Sequence, residues 1–332
     1  MQRSKRQPPS APVWSRVSRA ANQNRTAKGN IGRKTNPRYW EPGRYNQAMT
    51  SLVSLGPVKA LDSDQLQAKQ DRLFGVLRDL EEVLVAYSGG TDSAYLAWAA
   101  HQTLGDRAVA ITADSPSIPE SHKRDAAEYA RVCGFRHELI PTFEFDNPDY
   151  VKNDKDRCFH CKDELFNRLD EIAAERGVKH IVYGVNQDDL GDYRPGQSAA
   201  KIHRVKSPLV EADLSKAEIR ELSRAAGLPF WDRPAAACLS SRIPYGTPVT
   251  VETIKTIENG EEAIKSLGFR QFRVRFHGDL VRIEIARDEL ERALNLDIAG
   301  RMTAIFKPLG FHYVTLDLEG YRQGSLNAAL NH

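Results

Sequence analysis

The apolar positions of this 332-residue chain alternate between spaced stripes and short unbroken runs. Gln65–Leu80 places Leu66, Leu73, Leu77 and Leu80 on one face, which predicts a helix. Val83–Tyr87 is an apolar run of strand length, and Ser88-Gly89-Gly90 breaks it. Asp92-Ser93 then opens a helical spacing of Ala94, Leu96, Ala97, Ala100 and Leu104. Ala108–Ala113 reads as a second buried strand, ending in Asp114-Ser115-Pro116. Pro119–Cys133 reads as a helix with Gly134 just past its end. His137–Ile140 is a third strand, Lys162–Arg176 a helix stopped by Gly177, and His180–Tyr183 a fourth strand ending at Gly184. Ser215–Ala226 is a further helix, with Ser215 as N-cap and Glu218 completing a capping box. Strands alternating with helices predict an α/β fold, a doubly wound parallel sheet. Ligands of such sheets sit at the carboxyl ends of the strands, so Ser88, Asp114 and Asn186 should converge on one crevice.

The pattern changes after Gly227-Leu228-Pro229. Val251–Leu267 is helical through Ile254, Ile257, Ile264 and Leu267. Phe272–Phe276 and Leu280–Ile285 alternate as strands around His277-Gly278-Asp279. Asp288–Phe306 is largely helical and His312–Leu316 a last strand. This order predicts a smaller C-terminal α+β domain with an antiparallel sheet. The expected division is a tail over 1–50, a nucleotide-binding domain over 55–228 and a second domain over 229–332. No run approaches the roughly 20 apolar residues of a membrane span.

Charge changes the reading of the N-terminus. The net +3 hides eleven Lys/Arg and one acid, Glu41, within residues 1–49. The remainder holds 36 basic and 43 acidic residues, a net of −7. The body is therefore mildly acidic, and the basic balance argues nothing about nucleic acid binding there. Residues 1–49 have no apolar periodicity and are expected to be disordered. They fit an arm for acidic surfaces, an organelle transit peptide, or sequence upstream of a start at Met49. A start at Met49, or a tail without function, is preferred. Four cysteines do not make a disulfide scaffold in a chain of this length, which suggests the cytoplasm.

Strand, glycine turn and helix in that order form a phosphate cradle. Glycine lets the backbone approach an anion, and the helix's first N–H groups point at it. The turn is neither GxxxxGK[ST] nor GxGxxG. Cys158 and Cys161 lie in RCFHCK just before a predicted helix, where the dipole, Arg157 and Lys162 should favour thiolate. A zinc half-site, a redox pair and two buried thiols all fit that spacing. Cys238 lies in the loop PAAACLSSR beside Arg242, with burial as a small hydrophobe the bland alternative; Cys133 reads as structural. The loop Asn186–Gly196 offers Asp188, Asp189 or Asp192 to Mg²⁺ and Arg194 to a phosphate, or is simply a solvated acidic loop. Arg273 and Arg275 share one strand face, and Arg282 and Glu284 another. They make either an anion clamp or an exposed salt-bridged surface.

SGGTDS matches the SGGxDS signature of the ATP pyrophosphatase (PP-loop) enzymes, which cleave ATP between its α- and β-phosphates. ADSPSIP, RCFHCK, YGVNQDDLGDYRPG, the segment from SPLVEADLSKAEIRELSRAAGLPFWDRP to AAACLSSRIPYG, RVRFHGDLVRIEI and DLEGYRQGSLN follow in order. Over about residues 60–330 the chain resembles the LarE family, ATP-dependent sulfur transferases of nickel-pincer nucleotide biosynthesis for lactate racemase. The resemblance implies a PP-loop fold and a pyridinium-3,5-biscarboxylic acid mononucleotide as substrate. ATP adenylates a carboxylate, and sulfur then displaces AMP to leave a thiocarboxylate. It implies that Ser88, Gly89, Gly90, Asp92 and Ser93 hold phosphates and Mg²⁺, and that Asp114 grips the nucleoside. Cys238 would be the sulfur-bearing cysteine. Ser241, Arg242, Glu261, Arg273, Arg275 and Glu284 would surround it and meet the substrate's phosphate.

In the single-cysteine form of the family, the cysteine surrenders its sulfur and becomes dehydroalanine. The added Cys158 and Cys161 resemble the three-cysteine form, in which Cys158, Cys161 and Cys238 hold a [4Fe–4S] cluster, and this form is preferred. Nickel-insertion and sulfur-delivery proteins are the expected protein partners, and a homo-oligomer the expected assembly. A tRNA thiolase and an ammonia-using amide ligase of the same fold are the rivals. The acidic body, and the lack of a recognisable RNA-binding module, weigh against the first.

Overall fold

The computed structural model describes residues 63–191, 195–234 and 237–322. The expectations for residues 1–50, for Asp192 and for Arg194 lie outside the described residues. Four strands, β1 (Val83–Ala86), β2 (Ala108–Asp114), β3 (Arg136–Pro141) and β4 (His180–Tyr183), form an all-parallel sheet in the order β3-β2-β1-β4. Around it run α1 (Ser63–Leu80), α2 (Thr91–Leu104), α3 (Glu120–Cys133), α4 (Pro148–Val151), α5 (Arg157–Arg176), α6 (Pro195–Ile202), α7 (Pro208–Glu211) and α8 (Lys216–Ala225). The expected α/β architecture is what the chain adopts. Strand order reverses at β1, and the crevice beyond its carboxyl end is where ligands bind in such sheets.

β1 is buried on both faces, which explains its unbroken apolar run. One side of the sheet packs a core that includes Leu73, Leu77, Tyr95, Leu96, Ile219 and Phe230, and the other packs Phe166, Leu169 and Ile172 of α5. Ser215 caps α8, and the reciprocal bond from Glu218 completes the capping box. Gly134 and Gly177 take left-handed conformations where α3 and α5 stop.

The second sheet runs β5 (Phe272–His277), β6 (Leu280–Ile285) and β7 (Tyr313–Leu316), covered by α9 (Val251–Ser266), α10 (Arg287–Ala293) and α11 (Leu296–Phe306). It is mixed rather than antiparallel. β5 and β6 form the hairpin, but β7 pairs parallel to β6. The helices between β6 and β7 return the chain to the same end of the sheet, as a parallel pairing requires. The stretch 288–306 is largely helical as expected, in two helices, because Asn295 accepts from Asp297 N at 2.8 Å and starts α11 anew.

This second core does not stop at residue 229. Tyr150, Leu239 and Ile243 belong to it, together with Ile257, Val274 and Phe306. The chain between β3 and α5 is therefore packed against the second sheet. Among the described residues no helix is long and apolar enough to cross a membrane.

Candidate active site

The turn after β1 is built to receive an anion. Gly89 has φ 71°, and a Cβ there would lie 2.9 Å from Cβ of Ala126 on α3. Gly90 occupies the N-cap of α2, so no side chain caps the helix and its first amides keep the anion-binding end. Ser93 Oγ accepts from Ser88 N at 3.2 Å, contacts Ser88 Oγ at 3.1 Å and donates to Gly90 O at 3.1 Å. The two serines thus brace the loop. Just past β4, Gly184 comes so close that a Cβ would sit 2.7 Å from Ser93 N and Cα.

Carboxylates gather beside this turn. Asp92 is largely buried, with Lys216 Nζ 3.7 Å from its Oδ2. Its Oδ1 is buried without a partner, as is Nδ2 of Asn186 just past β4. Burial raises the Asp92 pKa, and Asp189 adds to the rise against Lys216 and Arg220. Asp189 is buried, and its Oδ2 accepts from Asn186 N at 3.2 Å. Two repelling carboxylates suit Mg²⁺, which commonly takes one or two protein carboxylates and completes its shell with phosphate and water. Asp114 ends β2 half-exposed, and Lys123 Nζ grips it at 2.5 Å while also reaching Glu120 at 2.7 Å.

Cys158 and Cys161 lie within α5, not before it, because the helix begins at Arg157. The expected depression of their pKa values does not occur. Burial around the Cys158 sulfur and the neighbouring Cys238 thiol push it up, against Arg157 and Lys162. Cys161 is pushed up further, by burial, by Glu144 and by Cys238. Glu144 is itself buried beneath them: its Oε1 takes the Ser115 hydroxyl and Ser117 Oγ, at 3.2 Å for the latter.

The three thiols thus share one neighbourhood, and specific bonds create it. Arg157 is buried and donates to Asn153 Oδ1 at 2.5 Å and to Ser240 O at 2.9 Å. Tyr150 Oη meets Ser240 Oγ at 2.7 Å. Leu239 N donates to Ser117 O at 2.8 Å, which ties the Cys238 loop to the loop after β2. Arg242 Nη1 donates to the carbonyl oxygens of Ala237 and Cys238, both at 2.9 Å, and Glu261 holds its other edge at 2.8 and 3.0 Å. Ser241 Oγ donates to Cys238 O at 2.7 Å. Arg275 pairs with buried Glu284 at 2.8 and 3.0 Å and donates to Ser241 O at 2.8 Å. The Arg275–Glu284 pair is interior rather than the exposed surface of the bland alternative. Arg273 stacks on Tyr321, with Cζ 4.8 Å from the ring centre.

No family model matches the chain. Over 265 residues it is 44% identical to an uncharacterized protein of Synechocystis, an alignment covering 80% of this chain and 99% of that one. Over 267 residues it is 36% identical to the pyridinium-3,5-bisthiocarboxylic acid mononucleotide synthase of Lactiplantibacillus plantarum, covering 80% of this chain and 96% of that protein. The chain belongs to the LarE family. A more distant likeness, 24% identity over 204 residues, links 55% of it to 64% of a component of the glutamine-hydrolyzing GMP synthase of Archaeoglobus fulgidus.

In this LarE-family chain several groups at the site escaped sequence reasoning. Gly184 looked like a strand terminator, and only the backbone approach shows that it shapes the turn. Lys216 follows the N-cap of α8, and nothing in the helix-start pattern marks it as a neighbour of Asp92. Lys123 sits in a charged stretch, HKRD, where one buried cation cannot be told from exposed ones. Among the described residues, no three His, Cys, Asp or Glu side chains are gathered as a site for one metal ion. Cys158, Cys161 and Cys238 act on one another electrostatically, and thiols are the ligand type that iron–sulfur clusters take.

Proposed function

We propose that this protein is an ATP-dependent sulfur transferase. It would adenylate a carboxylate of pyridinium-3,5-biscarboxylic acid mononucleotide and convert it to a thiocarboxylate, in nickel-pincer cofactor synthesis. The observation that carries the reading is the bond from Leu239 N to Ser117 O. It joins the sulfur-bearing loop to the loop of the crevice where the uncapped glycine turn opens. The name of the 36%-identical relative specifies the product class.

The chemistry assigns each group a task. A carboxylate resists nucleophiles until AMP becomes its leaving group. The turn Ser88–Ser93 binds the triphosphate, and Asp92 with Asp189 would hold Mg²⁺, which neutralises the departing pyrophosphate. Lys216, whose Nζ is 3.7 Å from Asp92 Oδ2, would meet the same phosphates. The carboxylate oxygen attacks the α-phosphorus and pyrophosphate leaves. A sulfur nucleophile then attacks the acyl carbon and AMP leaves. Arg242, held by Glu261, fixes the Cys238 carbonyl and so aims that cysteine. Cys158, Cys161 and Cys238 would hold a [4Fe–4S] cluster with one iron free of protein ligand, supplying exchangeable inorganic sulfur.

The test is incubation with the biscarboxylate nucleotide, ATP and Mg²⁺, following AMP, pyrophosphate and product mass. AMP formed in step with a product one sulfur-for-oxygen exchange heavier supports the reading, and no substrate-dependent AMP overturns it. Iron and sulfide analysis after anaerobic purification checks the cluster. A colourless protein whose Cys238 loses the mass of hydrogen sulfide after turnover identifies sacrifice instead. The likeness to a GMP synthase component favours an amide ligase as second reading, and Cys238→Ala would leave amide formation intact.

A further inference from the structure

Arg233 lies between α8 and the Cys238 loop, and its guanidinium is laid onto α3. Nη2 is 2.9 Å from Asp125 Oδ2, Cζ is 5.3 Å from the Tyr129 ring centre, and the side chain is only 10% exposed. Its backbone is held from both sides: Arg233 N donates to Phe230 O at 3.2 Å, and Arg220 Nη2 donates to Arg233 O at 2.7 Å. Nη1 is buried and donates to nothing. An unsatisfied buried donor is costly, and a guanidinium edge matches a carboxylate. Arg168 also keeps a buried Nε without a hydrogen bond, and Arg282 Nε lacks one but stands 3.7 Å from Asp317 Oδ2; their side chains are 31% and 37% exposed and lie on α5 and β6.

The surroundings of that free edge point to an anion. Residues 122, 125, 126 and 129 share one face of α3. His122 feels both Arg233 and Arg242, with Asp125 and Glu261 opposing, and burial keeps its ring neutral. A neutral imidazole there adds a hydrogen-bonding group without a competing charge. Ala126, on the same face, is the residue against which Gly89 packs. Arg242, at the other end, holds the Cys238 carbonyl. The α3 face therefore spans the distance from the phosphate turn to the sulfur donor. Lys216 faces Asp92, Lys123 faces Asp114, Arg242 faces Glu261 and Arg275 faces Glu284.

We infer that Arg233 is the subsite for the second, non-reacting carboxylate of the substrate and sets specificity for a dicarboxylate. The inference rests on the proposed function. While one carboxylate is activated between the glycine turn and Cys238, its partner on the ring must be desolvated against a cation. Arg233 offers the buried, uncommitted donor on that path. A pyridinium nucleotide with a single carboxylate would leave Nη1 unpaired, and such a site rejects the analogue that lacks the group it was built to bind.

The experiment compares substrate-dependent AMP release with the 3,5-biscarboxylate nucleotide and with its 3-monocarboxylate analogue. Wild type, Arg233→Met and Arg233→Lys are measured, each with the ATP KM. Wild type should favour the dicarboxylate by about 100-fold in kcat/KM. In Arg233→Met that preference should collapse towards unity, chiefly through the dicarboxylate's KM. Arg233→Lys, which keeps the charge and loses the fork, should fall between, with the ATP KM unmoved in both. An equal loss on both substrates, or a rise confined to the ATP KM, overturns the assignment and gives Arg233 to packing or to phosphate. Should Arg233→Met fail to fold, Arg233→Lys decides alone: a preserved preference overturns the idea and a reduced one supports it. Wild type releasing no AMP with either nucleotide sinks the proposed function itself, a result separable from any of these.

Discussion

Arg157 Nη1 donates to the carbonyl of Ser240 at 2.9 Å, so the residue that begins the cysteine-bearing helix also holds the Cys238 loop. The same nitrogen takes Asn153 Oδ1 at 2.5 Å, and Asn153 Nδ2 reaches Pro244 O and Thr247 O at 2.8 and 2.7 Å. Two segments far apart in sequence are laced through one buried cation. Arg157→Met keeps the apolar stem and removes these bonds. Hydrogen bonds to a charged group are worth about 1.5–3 kcal/mol each, and carbonyls left buried add to the loss. The expected result is a lowered melting temperature and a larger relative loss of sulfur transfer than of AMP formation. Thermal melts and the two product assays check it. Equal losses in both products would contradict the lacing role.

Gly184 is held to glycine by its neighbour rather than by its own backbone angles. An added Cβ would meet Ser93 N and Cα at 2.7 Å, and backbone atoms cannot swing aside as a side-chain tip can. Overpacking of this kind costs about 1–3 kcal/mol. The displaced atoms belong to the first turn of α2, so the cost should fall on phosphate binding. Gly184→Ala should weaken ATP affinity about tenfold, with a smaller change in melting temperature. Calorimetric titration with a non-hydrolysable ATP analogue reads it, and unchanged affinity refutes the account.

The parallel sheet was legible because β1 and most of β2 are buried on both faces and the helices announce their ends. Ser215 with Glu218, and Gly134 and Gly177, lie where local chemistry required them. The mixed second sheet was not, since alternation in β7 says nothing about which way its neighbour runs. The start of α5 was missed because RCFHCK carries no stop or start signal of its own. The shape of the glycine turn was readable from backbone demands. The bonds that Arg242 and Arg275 make to the Cys238 loop were not, because sequence cannot tell which carbonyl a cation reaches. Here they reach Cys238 O and Ser241 O.

Thiol reactivity follows from the same distinction. The helix dipole with Arg157 and Lys162 suggested reactive thiolates, but burial and neighbouring Cys238 raise both thiols of α5, and Glu144 acts further on Cys161. Cys158 is exposed and Cys161 only partly so. Iodoacetamide on the reduced, metal-free protein near neutral pH should therefore label Cys158 first and Cys161 slowest of the pair. Both should lag a free cysteine, and the difference should vanish in urea. Peptide mass spectrometry measures it, and rapid labelling of Cys161 in folded protein would contradict the burial argument.

His122 makes stability depend on pH in a defined window. Burial, then Arg233 and Arg242, lower its pKa from 6.5 to about 4, against Asp125 and Glu261. The unfolded chain binds the proton below pH 6.5, whereas the folded chain resists it until about pH 4. Between those values the unfolded state holds more protons, so stability rises with pH and is lost as pH falls. The slope approaches about 1.4 kcal/mol per pH unit, which between pH 7 and 5 amounts to on the order of 2 kcal/mol. His203, raised through Asp170 and Asp163 despite its burial, acts with the opposite sign and loses its contribution as pH rises. Total stability therefore hides the effect, and the difference between wild type and His122→Gln reveals it. The variant should lose less stability than wild type on going from pH 7 to 5, read from urea midpoints. Glu261, pushed up by burial but held below its usual range by Arg242, matters only in more acid solution. Parallel pH curves for the two proteins would show that the imidazole is not held neutral between the two arginines.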